Sequence, residues 1–193
     1  MNKSRSIFIK KTKEWTEHEV SFVGEVLEHT FENMLNGNEL NHEISVLLTN
    51  DEEIRELNKK YRNIDKPTNV LSFSITSDTT VNELRMIGDI VISREKILSE
   101  AKDQNKTFND HLAHIVIHGF LHLLDFTHYN NEDSIIMENI RLITYDGKQT
   151  NESLQRNAYN LQQSADCCGP LMVDYSPHLD VFDDFTPFHL VSR

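Results

Sequence analysis

Apolar residues recur at helical spacing in four stretches of the chain, and four others read as strands. Thr16 and Glu19 form a capping box ahead of Val20, Val23, Leu27, Phe31 and Met34, which predicts a helix ending near Gly37. Asn50 and Glu53 cap a second helix with Ile54, Leu57 and Tyr61 on its inner face, and Pro67 ends it. Ser93 starts a third helix containing Ile97, Leu98 and Ala101, and Thr107 starts a fourth that carries Phe108, Leu112, Ile115 and Leu123. Strands are predicted at Arg5 to Lys10, at Glu43 to Thr49 with Ile44, Val46 and Leu48 on one face, at Val70 to Ile75, and at Met86 to Ile92; the polar stretch from Ser77 to Asn82 joins the last two. Strands and helices alternate at first, two strands follow each other, and helices finish the series. This order predicts an α+β domain.

The pattern fades after residue 146. Asp146-Gly147 is a break, Gln149 to Gln163 is polar and weakly periodic, and the remainder scatters prolines at positions 170, 177 and 187 among aromatics. The expected organisation is therefore one domain over residues 1–146 and a divergent, poorly ordered extension over 147–193 that the fold does not need, although Leu171, Val181, Phe182, Phe185 and Phe188 give it groups that could dock. No apolar run approaches the roughly 20 residues of a membrane span. The apolar part of the N-terminus, Ile7 to Ile9, is short of a signal peptide's apolar region, so the expected location is the cytoplasm.

Composition narrows the chemistry. The two cysteines, Cys167 and Cys168, are adjacent, which excludes a disulfide framework and a Cys-Cys zinc spacing. The net charge of −12 argues on average against a polyanionic partner. The average conceals two basic segments: Lys3, Arg5, Lys10, Lys11 and Lys13 sum to +5, and Lys59, Lys60, Arg62 and Lys66 against Asp65 sum to +3, leaving −20 elsewhere. Each segment reads equally as a solvated basic stretch or as a local anion site.

His111, His114, His118 and His122 lie on the fourth helix, and at about 100° per residue they fall within a sector of roughly 80°. His118 and His122 are one turn apart, and His128 follows six residues later, giving H-x3-H-x5-H. An isolated pair at this spacing is more often packing than a ligand set. The third histidine makes it a metal-site pattern, as in the metzincin peptidases, where two helical histidines and one beyond the turn hold zinc and leave a position for water. Those peptidases place a glutamate directly after the first histidine. Gly119 stands there, which disfavours peptide hydrolysis.

The stretch HGFLHLLDFTH from His118 to His128 resembles the signature H-G-x-L-H-L-x-G-Y-D-H of the YbeY family of metal-dependent endoribonucleases. LNKKYRNIDKPTNVLSF from Leu57 to Phe73 and GDIVIS from Gly88 to Ser93 agree with the same family in order and separation, over roughly residues 5 to 140. The resemblance implies an α+β fold with a small mixed sheet and a histidine-bearing helix near the end of the domain. It implies one Zn2+ per chain on His118, His122 and His128, and Arg62 as the functional arginine. The implied activity is single-strand-specific endoribonuclease cleavage in 16S rRNA 3′-end maturation and ribosome quality control. Partners would be small-subunit rRNA and the ribosome or its assembly factors, with neither DNA nor membrane. Arg62 is also the residue that a reading of the chain itself selects for a phosphate, since a guanidinium can donate two parallel hydrogen bonds and Lys59, Lys60 and Lys66 flank it as candidate RNA contacts.

Departures fall near the third ligand. Asp125 replaces a family glycine that would turn with φ > 0, and Thr127 replaces an aspartate that could accept a proton from His128. Arg141 stands where a second glutamate would follow Met137-Glu138. Asp89, His111 and His114 are expected to support or pack rather than to ligate. Two alternatives stay open: a non-catalytic zinc-containing ribosome-assembly or RNA-binding factor, and a zinc hydrolase of another substrate class.

Overall fold

The computed structural model describes residues 5–34, 41–75, 80–81, 84–126 and 172–174. The elements are β1 (Arg5–Lys11), α1 (Glu17–Met34), β2 (Asn41–Thr49), α2 (Asp51–Arg62), β3 (Val70–Ser74), β4 (Thr80–Val81), β5 (Leu84–Ser93), α3 (Arg94–Asp103), α4 (Phe108–Leu123) and β6 (Met172–Asp174). The sheet order is β1-β2-β5-β3-β6, with β4 paired to β5. β1, β2 and β5 are mutually parallel, β3 runs antiparallel to β5, and β6 runs parallel to β3. The fold is thus α+β with a small mixed sheet, as the pattern of the chain predicts.

The helix starts follow the capping chemistry. Thr16 and Glu19 exchange hydrogen bonds, Thr16 N to Glu19 Oε2 at 2.8 Å and Glu19 N to Thr16 Oγ1 at 3.2 Å. Asn50, Ser93 and Thr107 accept from the backbone N–H groups of Glu53, Lys96 and Asp110. Two strands were not legible. β4 lies in the polar stretch that the pattern assigns to a connection, and β6 lies within the 147–193 extension.

The sheet separates two apolar clusters. The larger joins Val23, Leu27 and Phe31 of α1, Ile97 of α3 and the buried residues of α4 to Ile44, Val70, Ile90 and Ile92. The smaller joins Ile54, Leu57 and Tyr61 of α2 to Leu47, Leu71, Phe73 and Val91 on the opposite face. Alternation along the strands causes this division, since neighbouring residues point to opposite faces. α4 is buried along most of its length, from His111 to Leu123 apart from His114, as a helix enclosed by α1, α3 and the sheet must be.

Two glycines set how closely α4 and the strands approach. The β2–β5 register shifts between Glu43 and Ile44, and Gly88 beside this irregularity has φ of 145°. A Cβ at Gly88 would lie 2.2 Å from Phe73 O, so the GDIVIS stretch admits no side chain there. A Cβ at Gly119 would lie 3.1 to 3.2 Å from Val70 Cγ2, Ile90 Cγ2 and Ser72 Oγ. The helix is seated on the sheet at Gly119, and Ser72 Oγ donates to its carbonyl at 2.9 Å. A glutamate of the peptidase kind would therefore point into the sheet.

Candidate active site

The four histidines of α4 form one column. Ring centroids are 6.1 Å apart for His111 and His114, 6.0 Å for His114 and His118, and 4.5 Å for His118 and His122. The first two pairs are near parallel, whereas His118 and His122 meet at 90°. The last pair brings nitrogens together: His118 Nε2 and His122 Nε2 are 3.1 Å apart, and both side chains are buried.

The turn after α4 fixes the state of His122. Asp125 adopts φ of 65°, its N–H donates to His122 O at 3.1 Å, and Phe126 N–H donates to Leu121 O at 3.2 Å. This is a Schellman cap with aspartate in the left-handed position. It brings Phe126 O to 2.9 Å from His122 Nδ1. A carbonyl can only accept, so His122 Nδ1 carries the hydrogen and the lone pair of the neutral ring is on Nε2, facing His118. Nitrogens bound to one tetrahedral cation at about 2.0 to 2.1 Å are about 3.3 Å apart, so the pair fits a divalent cation preferring imidazole. The third expected ligand, His128, and its neighbour Thr127 lie outside the described residues. Among the described residues no group of three or more histidine, cysteine, aspartate or glutamate side chains could hold a metal ion.

His111 has a different partner. Its Nε2 lies 2.9 Å from Glu100 Oε2 of α3, which also accepts from Asn69 Nδ2 at 3.0 Å. Burial alone would raise the Glu100 pKa, but the hydrogen bonds from His111 and Asn69 outweigh it and hold the carboxyl below its usual range. Glu100 is on α3 and Asn69 lies just before β3, so no spacing in the chain announces them. Asp89 lies across from Ser45 and Phe73 on the α2 face of the sheet, where burial raises its pKa to about 6, opposed by a hydrogen bond with Ser45 and reinforced by Glu43.

The basic residues are less uniform than their sequence suggests. Lys59 and Arg55 both bind Asp65, at 2.9 and 2.6 Å, and these two hydrogen bonds pull the Asp65 pKa to about 2. Lys60 lies 5.1 Å from the Tyr61 ring centroid, and Lys66 is exposed. Arg62 ends α2, with Nη1 3.4 Å from Oδ1 of the buried Asn58, whose Nδ2 donates to Lys66 O at 2.7 Å. The LNKKYRNIDKP stretch thus knots the end of α2 to the following loop. The groove beside it is lined by Glu52, Glu56 and Asp65 as well as Arg55, Lys59 and Lys60, so it carries no net charge. α2 packs on the face of the sheet opposite α4.

The sequence profile of "Endoribonuclease YbeY" matches residues 6–145. The chain belongs to the YbeY family. Proteins named Endoribonuclease YbeY from Colwellia psychrerythraea and Nitrobacter hamburgensis are 45% and 46% identical over 100 and 102 residues. These alignments cover 52% and 51% of this chain and 64% and 54% of the relatives, so the similarity spans less than two thirds of their length. A solution structure of a Thermotoga maritima protein shares the fold, with a TM-score of 0.52 at 23% identity over 74% of this chain and 90% of that one. The YbeY match ends at residue 145, so β6 lies beyond it.

Proposed function

We propose that this chain is a zinc-dependent endoribonuclease that cleaves single-stranded RNA, acting in the cytoplasm on small-subunit rRNA during 3′-end maturation and ribosome quality control. The observation that carries the reading is the convergence of His118 Nε2 and His122 Nε2 at 3.1 Å, with the His122 tautomer set by Phe126 O, in a chain of the YbeY family. His118 and His122 would hold one Zn2+, with His128 as third ligand. When bound, the ion supplies a Lewis acid for a phosphoryl oxygen and lowers the pKa of a water.

The remaining work falls to the chain's own groups. Phe126 O holds the His122 proton on Nδ1 and keeps the ring aimed. The close seat of Gly119 on Val70, Ser72 and Ile90 fixes the height of both histidines above the sheet. Arg62 would contact a phosphate of RNA that passes around the sheet margin from the α4 face to the α2 face. With Lys59 bound to Asp65, Lys60 and Lys66 would lend Arg62 more support than Lys59 does.

The test is a cleavage assay on single-stranded and structured RNA with zinc-loaded protein, a chelator arm, and His118→Ala, His122→Ala and Arg62→Ala. The expected result is preference for single strands, loss of cleavage with chelator or either histidine variant, and loss of cleavage with unchanged zinc content for Arg62→Ala. RNA binding without cleavage under every metal condition would favour the assembly-factor alternative and defeat the nuclease reading.

A further inference from the structure

β3 is the strand on which the histidine helix is seated. On one side it pairs with β5 and on the other with β6, in the register Ser72 with Met172, Phe73 with Val173 and Ser74 with Asp174. The family match ends at residue 145, so everything it covers leaves the outer edge of β3 open among the described residues, and this chain closes that edge with a strand from its own extension. Ser74 Oγ on this strand is buried and has no hydrogen-bond partner among the described residues. An open edge is a row of N–H and C=O groups that accepts any extended backbone.

The occupant is short and distant in sequence. β6 has three residues, and 45 residues separate Phe126 from Met172. A three-residue parallel ladder makes few hydrogen bonds, so the strand is held weakly. It also brings an acidic residue, since Asp174 lies in the strand itself. RNA approaching the histidines across β3 would meet both a filled edge and a repulsive charge.

We propose that β6 is a displaceable strap in which Met172–Asp174 docks on the outer edge of β3 and competes with RNA for access to the histidine site. The proposal rests on the RNA-cleaving role above, and the experiment separates the two. Full-length protein is compared with Val173→Pro, which the ladder disfavours, and with Val173→Ala, which keeps the backbone N–H. Hydrogen exchange is read at the β3 amides, and affinity is read with a fluorescent single-stranded RNA oligonucleotide.

In Val173→Pro the β3 amides that point away from β5 should exchange about tenfold faster or more, with β5 unchanged, and RNA should bind several-fold more tightly. Val173→Ala should match the wild type in both. Unchanged β3 exchange in Val173→Pro overturns the docking. Faster exchange with unaltered RNA affinity overturns the competition. Faster exchange with RNA binding to none of the three proteins overturns the RNA role, and the strap's stated purpose with it.

Discussion

Asp125 carries the backbone conformation on which the candidate site depends. Its φ of 65° allows the cap that delivers Phe126 O to His122, yet an L side chain in that region is under strain that glycine avoids. Asp125→Gly is therefore expected to stabilise the protein by about 0.5 to 1 kcal/mol in chemical denaturation without weakening the proposed zinc site. A loss of stability would mean that the aspartate side chain has its own partner. Two positions on, Thr127→Asp would restore a carboxylate beside His128. If His128 lacks a proton acceptor, this change should tighten zinc or raise single-turnover cleavage about 10-fold to 100-fold, measured by competition with a graded chelator. An unchanged affinity and rate would show that another group already supports His128.

At the scale of elements, the contact between α4 and the sheet is the tightest constraint. Gly119→Ala adds a methyl at 3.1 to 3.2 Å from three neighbours, one of them Ser72 Oγ, the donor to the Gly119 carbonyl. The expected cost is about 1 to 3 kcal/mol in thermal or denaturant unfolding, and the proposed zinc site should weaken as α4 lifts. Gly88→Ala is expected to be worse, because its new atom would meet backbone and its φ is one that L residues rarely adopt. β5 also carries Asp89, whose raised pKa has a definite sign. Its folded pKa of about 6 exceeds the model-peptide value of about 3.9, so the folded state binds the extra proton between them. Stability should therefore fall as pH rises from about 4 to about 6, by at most about 2 to 3 kcal/mol from this group. Asp89→Asn should flatten that part of the profile and raise stability at pH 7. A profile unchanged by the substitution would show that Ser45 fully compensates the buried charge.

For the whole molecule, the two described regions beyond the loops contribute unequally. Among the described residues, the sheet, α1, α3 and α4 enclose the main cluster with none after Phe126, and the 147–193 extension contributes β6. A three-residue strand adds few ladder hydrogen bonds to a core already enclosed by the longer elements. A chain ending at Asp146 should accordingly stay folded, with a melting temperature within about 5 °C of the full chain. Loss of cooperative unfolding would show that Phe182, Phe185 or Phe188 completes the core.

The chain by itself determined the order of the eight longer elements, the helix starts and the candidate ligands, because each rests on local rules: capping needs residues three apart, strand faces alternate, and two ligands one turn apart share a helix face. Even the left-handed turn at Asp125 was legible, from the glycine that its family places there. Tertiary structure alone decided what lies between elements. It paired Glu100 and Asn69 with His111, tied Lys59 to Asp65 across a loop, and packed α2 on the face of the sheet opposite α4. β4 and β6 were illegible for the same reason, since a strand of two or three residues has too little periodicity to announce itself and exists only through the neighbour that it pairs with.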